Sequence, residues 1–136
     1  MAGDAGGSQT GGGTPRIGGI SLHLVPEPAW HKQAAGDTYV PERFAEEGFV
    51  HTTLGEETLL EVANRYYRDD PRPYLVLDVD LDRLAAPVRF DEAGPSYPHV
   101  YGPIETTAVV RVRRADRDPA GAFVGIGANA VGPLGA

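Results

Sequence analysis

The residue best placed to do chemistry is His51, within the stretch Glu-Gly-Phe-Val-His-Thr-Thr at positions 47–53. Phe49 and Val50 favour β-structure, so His51 is predicted to lie near the end of a short strand. Thr53 and Glu56 have the spacing of a capping box, which predicts a helix directly after the histidine. A ring nitrogen at such a junction can act as an acid, a base, a donor or a ligand. The alternative is a structural histidine, with Thr53 serving only as a cap.

Two further histidines, His23 and His99, also lie in or at the end of predicted strands, and Asp91 follows the strand at 88–90. If these groups meet His51 in one cleft, they are suited to acid–base chemistry. Imidazole and carboxylate ligands also suit zinc or iron, but the spacing lacks any H-x-x-x-H pattern, so no metal site is predicted. The alternative is three unrelated histidines, each satisfied by a backbone carbonyl.

Two other motifs carry weaker signals. The stretch Tyr-Pro-His-Val-Tyr-Gly-Pro at 97–103 predicts a rigid loop that presents His99 and two phenols, either to a ligand or to the edge of the core. Asp78, Asp80 and Asp82 alternate on one strand face, as a divalent-cation ladder would require. Because the glycine and distal glutamate of a calcium loop are missing, a solvated strand end is favoured over a cation site.

The elements that must position these residues follow from hydrophobic periodicity. Alternation predicts strands at 20–25, 74–81 and 106–113, in the last of which Ala108, Val110 and Val112 face inward while Arg111 and Arg113 face outward. Helices are predicted at 28–35 and 54–67. The second helix has a buried stripe at helical spacing, formed by Leu59, Val62, Ala63 and Tyr66. Two helices against five or six short strands indicate an α+β domain.

Composition limits the classes of protein that fit. The chain has 136 residues, of which 41% are hydrophobic, and one domain is predicted over 20–126. Glycine-rich residues 1–19 and the stretch 127–136 are predicted to be flexible tails. A net charge of −7 argues against nucleic acid as a partner, and no cysteine is available for thiol chemistry. No apolar run of membrane-spanning length and no signal peptide is evident, so a cytoplasmic protein without membrane contact is expected. The sequence does not indicate an oligomeric state.

Several motifs, taken in order, resemble one family. They are Leu-His-Leu-Val at 22–25, Trp30, Gly-Phe-Val-His-Thr-Thr at 48–53, Tyr-Leu-Val-Leu-Asp-Val at 74–79, Val-Arg-Phe-Asp at 88–91 and the motif at 97–103. Together they resemble the bacterial domain-of-unknown-function family 952 over about 20–124. Members of that family resemble the ADP-ribosyltransferase fold, which implies a split antiparallel or mixed β-sheet core with two helices. Some members are labelled glutathione transferase-like, and nothing in this chain supports a glutathione site.

The resemblance also implies roles by position. His51, Asp91 and His99 are expected to be catalytic. His23, Thr52 and Tyr101 are expected to bind the ligand, His23 at the position where the transferase fold often contacts a ribose. NAD is the candidate cofactor, but two features weigh against it. Asp91 is one methylene shorter than the family's usual glutamate, and no arginine obviously serves a pyrophosphate.

The sequence therefore predicts a small enzyme or enzyme-like domain that acts by histidine acid–base chemistry on a nucleotide or another small metabolite. Two alternatives stay open. One is a non-catalytic module that binds a metabolite in the same cleft. The other is a tailoring enzyme that rearranges a small molecule by acid–base chemistry and does not use NAD.

Overall fold

The computed structural model describes residues 18–91 and 94–130. Of the predicted tails, 1–19 and 127–136, the parts at 1–17 and 131–136 lie outside the described residues. In chain order the elements are β1 (Ile20–Pro26), α1 (Glu27–His31), β2 (Thr38–Tyr39), α2 (Phe44–Glu47), β3 (Val50–His51), α3 (Glu56–Tyr66), β4 (Tyr74–Asp80), β5 (Val88–Phe90), β6 (Pro98–Val100), β7 (Ile104–Glu105), β8 (Val109–Arg117) and β9 (Phe123–Ala130). Short 3₁₀ turns follow β4, at Leu81–Arg83, and β7, at Thr106–Ala108. This is the α+β class that the sequence predicts.

Three antiparallel sheets make up the β-structure of the described residues. The largest has the strand order β9-β8-β4-β1, a second has the order β3-β6-β5, and β2 pairs with β7. The largest sheet and the β3-β6-β5 sheet meet where Leu22, on the edge strand β1, pairs with Thr53, which follows β3. Leu22 and Thr53 exchange both backbone hydrogen bonds there, each 2.8 Å long. The segment that follows His51 therefore joins the two sheets.

Strand β4 lies at the centre of the core. Its first six residues are all buried, because both faces of the largest sheet are covered. Leu75 and Leu77 pack on the side of α1 and the smaller sheets, whereas Val76 packs on the side of α3. A strand that is covered on both faces has a continuous apolar run, and this explains why the sequence signal for β4 is so strong.

The helices differ from the sequence prediction in number and in bounds. A third short helix, α2, ends at Gly48, whose φ of 80° is left-handed and turns the chain into β3. The predicted capping box is wrong: α3 begins at Glu56 after Gly55, and no side chain caps it. Thr53 cannot serve as the cap because its backbone is paired with Leu22. Tyr66, predicted to be buried, is 67% exposed.

Strand β8 corrects the inward and outward assignments. It begins at Val109, and its pairing with β4 shifts register between Asp78 and Val79. The shift leaves Val110 46% exposed, although the sequence predicts that it faces inward. Arg113 faces away from Val112 as predicted, but it is only 4% exposed because its face of the sheet is also covered: Arg113 pairs with Val76, which packs on the side of α3. Asp78 is not a solvated strand end either, because its carboxylate accepts hydrogen bonds from buried Arg113 and from Arg111.

Two boundary predictions also change. The predicted rigid loop at 97–103 contains β6, the central strand of the second sheet. The last strand runs to Ala130, past the predicted domain end at residue 126. Among the described residues, no helix is both long enough and apolar enough to span a bilayer.

Candidate active site

The outer face of the β3-β6-β5 sheet carries the candidate site. His51 of β3 and Arg89 of β5 both pair with His99 of β6, so the three residues form one row across the sheet. The neighbouring row on the other face is Val50, Val100 and Val88, of which the first two are completely buried. Alternation along each strand therefore places aliphatic side chains in the core and two imidazoles and a guanidinium on the opposite face.

Asp91 links two residues of this face. Its Oδ2 atom lies 2.9 Å from His99 Nδ1 and also accepts a hydrogen bond from the Tyr101 hydroxyl. The Tyr101 hydrogen bond, followed by that of His99, lowers the pKa of the Asp91 carboxyl, and the same contact raises the pKa of Tyr101. Asp91 is therefore a carboxylate near neutral pH, and His99 donates its Nδ1 proton to it.

The other ring nitrogen of His99 is available for chemistry. His99 is 6% exposed, and Nε2 has no hydrogen-bond partner within residues 18–91 and 94–130. His99 also lines a cavity of about 660 Å³. An imidazole whose Nδ1–H is held by a carboxylate presents Nε2 as a proton acceptor in a defined tautomer. This is the arrangement of a general base with its orienting group.

Phe49 fixes the plane of the His99 ring. Its ring stacks on His99 with centroids 4.2 Å apart and an interplanar angle of 21°. It also contacts the edge of His51 at 4.8 Å and Tyr101 at 5.4 Å. Since Phe49 touches both histidines and Tyr101, it covers one side of the polar groups and restricts the rotation of His99.

His51 lies beside His99, and its side chain is much more exposed. The two ring centroids are 5.1 Å apart, and the His51 side chain is 53% exposed. His51 Nε2 lies 3.2 Å from the Glu47 carboxylate, one helical turn earlier in the chain. The site therefore has two imidazoles, each next to a carboxylate, one shielded from solvent and the other open to it.

The cleft has two lobes. The larger lobe, of about 660 Å³, is lined by His99, His51 and the C-terminal end of α3. The smaller lobe, of about 230 Å³, extends toward β1 and includes His23 and Tyr39. Both lobes share His51 and Tyr67 as lining residues. The larger lobe has the size of a small-molecule site, whereas the smaller lobe lies below that range.

His23 lines the smaller lobe, but both of its ring nitrogens are occupied within the protein. Nδ1 donates to the carbonyl of His51 over 2.7 Å, and Nε2 accepts from the Tyr39 hydroxyl over 2.8 Å. Burial lowers the pKa of His23 to about 4, so the ring is neutral. His23 therefore ties together β1, β2 and β3 and has no ring nitrogen left for a ligand.

Thr52 is likewise engaged inside the protein. Its hydroxyl donates to the carbonyl of Pro98 over 2.6 Å and accepts from Ser21 over 2.7 Å. The residue is 2% exposed. Thr52 lines the larger lobe, but its hydroxyl is already engaged with Pro98 and Ser21, so the residue holds β3 against β6 and β1.

The structure thus brings His51, Asp91, His99 and Tyr101 together and assigns His23 and Thr52 to the framework of the site. Sequence reasoning missed Phe49, Arg89 and the residues of α3 that line the larger lobe. The signal for the first two was present, because Phe49 is two residues before His51 on a predicted strand, and Arg89, on the strand predicted at 88–90, is two residues before Asp91. Within the described residues, no group of three or more histidines or carboxylates could hold a metal ion.

The motifs of this face recur in a described family. The sequence profile of the family "Protein of unknown function (DUF952)" matches residues 24–112, which include His51, Asp91, His99 and Tyr101. The chain belongs to this family. DUF952 proteins carry no assigned activity by that description, and no curated protein matches this chain.

Solved structures extend the comparison to the fold. The chain is similar to the crystal structure of protein CC0527 from Caulobacter crescentus, with a TM-score of 0.66 and 20% identity over 78% of this chain and 94% of the other. A double mutant of that protein gives a TM-score of 0.64 at 19% identity, with the same coverage. At such identities the likeness establishes the small α+β fold of this DUF952 member and carries no activity.

Proposed function

We propose that the cleft is the active site of a small enzyme that acts on a small metabolite by histidine acid–base chemistry. The observation that carries the proposal is the hydrogen bond from His99 Nδ1 to Asp91, which leaves Nε2 without a partner in the described residues on a ring that lines the larger lobe. His99 is the general base, Asp91 orients it and stabilises its charged form, and Tyr101 holds the carboxylate in place. His51, exposed beside it, is the second acid–base group.

The division of labour between the two histidines follows from their surroundings. The shielded ring of His99 is fixed by Asp91 and by stacking on Phe49, as a group that must take a proton from one defined atom requires. The exposed ring of His51 can exchange protons with water and can return one to the product. The two rings are close enough to act on one substrate.

An ADP-ribosyltransferase-like cleft is the finer form of this proposal. The division of the β-structure into two larger sheets supports it, as does the smaller lobe, which is lined by His23 of the largest sheet and His51 of the second. In such a reaction the breaking N-glycosidic bond builds positive charge on the ribose, and the Asp91 carboxylate would stabilise that charge. Two observations weigh against NAD in particular. Asp91 is already engaged with His99 and Tyr101, and the position expected to contact ribose, His23, has no ring nitrogen available.

The proposal can be tested without knowledge of the substrate. The protein and its Asp91→Asn variant are incubated in parallel with a mixture of small metabolites that includes NAD, and consumption is followed by mass spectrometry. We expect at least one compound that the wild type consumes and the variant consumes about 10²–10⁴ times more slowly, the usual contribution of a positioned acid–base group. Asp118→Asn, on the hairpin between β8 and β9, is the matched control.

The other outcomes identify the alternatives. A compound that is retained by the protein but never converted would favour the non-catalytic binding module. Consumption that Asp91→Asn leaves unchanged would remove the Asp91–His99 pair from the mechanism. Release of nicotinamide from NAD would support the transferase form, and conversion of another compound without NAD would support the tailoring enzyme.

A further inference from the structure

The part of the larger lobe that faces His99 is built from rings and positive charge. The last turn of α3 contributes Arg65, Tyr66 and Tyr67, and Tyr97 precedes β6. The ring of Tyr66 is 67% exposed, and the Tyr66 and Tyr67 ring centroids are 6.4 Å apart at 63°. Three phenol rings around one cavity provide planar surfaces on which a flat ligand can stack.

Arg65 supplies a charge that the protein does not neutralise. Most arginines in residues 18–91 and 94–130 have carboxylate partners, such as Arg72 with Asp70 and Arg113 with Asp78. Arg65 has none in those ranges, and its guanidinium carbon lies 6.0 Å from the centroid of the Tyr66 ring. It lines the same cavity as His99.

Arg65 is the charged group of the larger lobe that has no ion-pair partner in the described part of the chain. The lobe is lined by two guanidinium groups, Arg43 and Arg65, and by one carboxylate, Glu47. Arg43 is paired with Glu46 over 2.9 Å, and Glu47 lies 3.2 Å from His51 Nε2. The guanidinium of Arg65 is therefore the group left to pair with an anionic ligand.

We infer that the larger lobe binds a planar aromatic compound that carries an anionic group. Its ring stacks on Tyr66 and its anion pairs with Arg65, which presents the rest of the molecule to His99. This inference rests on the proposed function because it places the substrate in the same cavity. It goes further in naming the chemical class of that substrate and two residues that select it.

Three probes separate the two features of the ligand. Phenyl phosphate carries both a ring and an anion, inorganic phosphate carries only the anion, and benzyl alcohol carries only the ring. Isothermal titration should show phenyl phosphate binding about tenfold more tightly than either of the others. Equal affinity for phenyl phosphate and inorganic phosphate, or no binding of phenyl phosphate at millimolar concentration, would overturn the inference.

Two variants assign the contacts. Arg65→Gln should weaken phenyl phosphate binding about tenfold and leave benzyl alcohol unchanged, because it removes only the charge. Tyr66→Ala should weaken both of these ligands and leave inorganic phosphate unchanged. Arg68→Gln, an exposed arginine just past the end of α3 that does not line the cavity, is the matched control. An equal loss in Arg65→Gln and Arg68→Gln would show a nonspecific charge effect and refute the site.

Failure of this inference is distinguishable from failure of the proposed function. Asp91 does not line the larger lobe, so Asp91→Asn should bind phenyl phosphate as the wild type does. If the ring-and-anion preference holds and no metabolite is converted, the ligand class stands and catalysis fails. If a metabolite is converted and the preference is absent, catalysis stands and the ligand class fails.

Discussion

Aspartate and histidine side chains have different hydrogen-bond partners on the largest sheet and on the outer face of the β3-β6-β5 sheet. In the largest sheet, Asp78 is 5% exposed and bonded to Arg113, and both nitrogens of His23 are occupied. On the small sheet, Asp91 is one-third exposed, and His99 keeps one nitrogen without a partner in the described part of the chain. The difference teaches that satisfaction of hydrogen bonds, more than residue type or burial, separates structural groups from candidate catalytic ones.

The largest effect that tests this comparison should come from Asp78→Asn. The change leaves the Arg113 guanidinium buried with only Glu56 as a charged partner, so we expect a loss of about 3 kcal/mol in the free energy of unfolding. Urea denaturation would measure it. Glu56→Gln, which removes the exposed partner of the same arginine, should cost less than about 1 kcal/mol. Equal losses for the two variants would contradict the distinction between the buried carboxylate of Asp78 and the exposed carboxylate of Glu56.

The second prediction concerns pH and His23. Burial lowers its pKa from 6.5 to about 4, so the unfolded chain binds this proton more tightly than the folded protein does. The stability that depends on neutral His23 is fully present above pH 6.5 and decreases as the pH drops from 6.5 to about 4. The free energy of unfolding is then lower by about 3 kcal/mol in total.

A His23→Gln variant isolates that contribution, because carboxylates titrate in both proteins. The wild type should lose more stability than His23→Gln between pH 7 and pH 4, and denaturation curves at several pH values would show it. Parallel pH profiles for the two proteins would mean that His23 is not held neutral by burial.

The third prediction concerns Tyr39→Phe, which removes the donor to His23 Nε2 and leaves that buried nitrogen unsatisfied. We expect a loss of about 1–3 kcal/mol in the free energy of unfolding, with the aromatic packing on Trp30 preserved. Tyr97→Phe, at a tyrosine that lines the larger lobe, is a suitable control. A neutral Tyr39→Phe would indicate that the hydrogen bond adds nothing to the framework of the site.

The smallest effect on stability is expected from Asp91→Asn. The side chain is one-third exposed, and an asparagine oxygen can still accept from His99 or Tyr101, so the melting temperature should change less than it does for Tyr39→Phe. Turnover should fall strongly in the same variant, and the contrast between a stable fold and lost turnover is the signature of an open site. Early melting of this variant would place Asp91 with the structural carboxylates.

The elements with strong local signals were predictable from the sequence. Strand β4 has a long apolar run, and β5 is short and bounded by turn residues, so both were assigned correctly. The start of α3 was missed because Thr53 has the spacing of a helix cap but pairs with Leu22, a residue far from it in the chain. The bulge that exposes Val110 depends on the pairing of β8 with β4, and the burial of Arg113 depends on α3 covering its face of the sheet, and no local pattern encodes either.

The sequence predicts most residues of the candidate site, but it does not predict which of them have a ring nitrogen available for a ligand. Four of the six predicted residues, His51, Asp91, His99 and Tyr101, lie together on one face. What separates His99 from His23 is the identity of their hydrogen-bond partners, Asp91 in one case and Tyr39 with a backbone carbonyl in the other. Tyr39 belongs to no sequence motif that links it to His23, so only the folded chain shows that both ring nitrogens of His23 are occupied.

The bridge between Leu22 and Thr53 has a consequence for motion in the cleft. Its two backbone hydrogen bonds, together with the bond from His23 to the carbonyl of His51, fasten the site segment to an edge of the largest sheet. The backbone at His51 therefore cannot move away from His99 by loop fluctuation alone, because that movement would break the hydrogen bonds between Leu22 of β1 and Thr53. The α3 wall of the cleft is fastened too, because the Asn64 side chain donates to the carbonyl of Phe123 and accepts from its N–H. The Tyr66 side chain at the end of α3 is 67% exposed. Adjustment to a ligand would thus fall to exposed side chains such as Tyr66, while the backbone on both sides of the cleft stays in place.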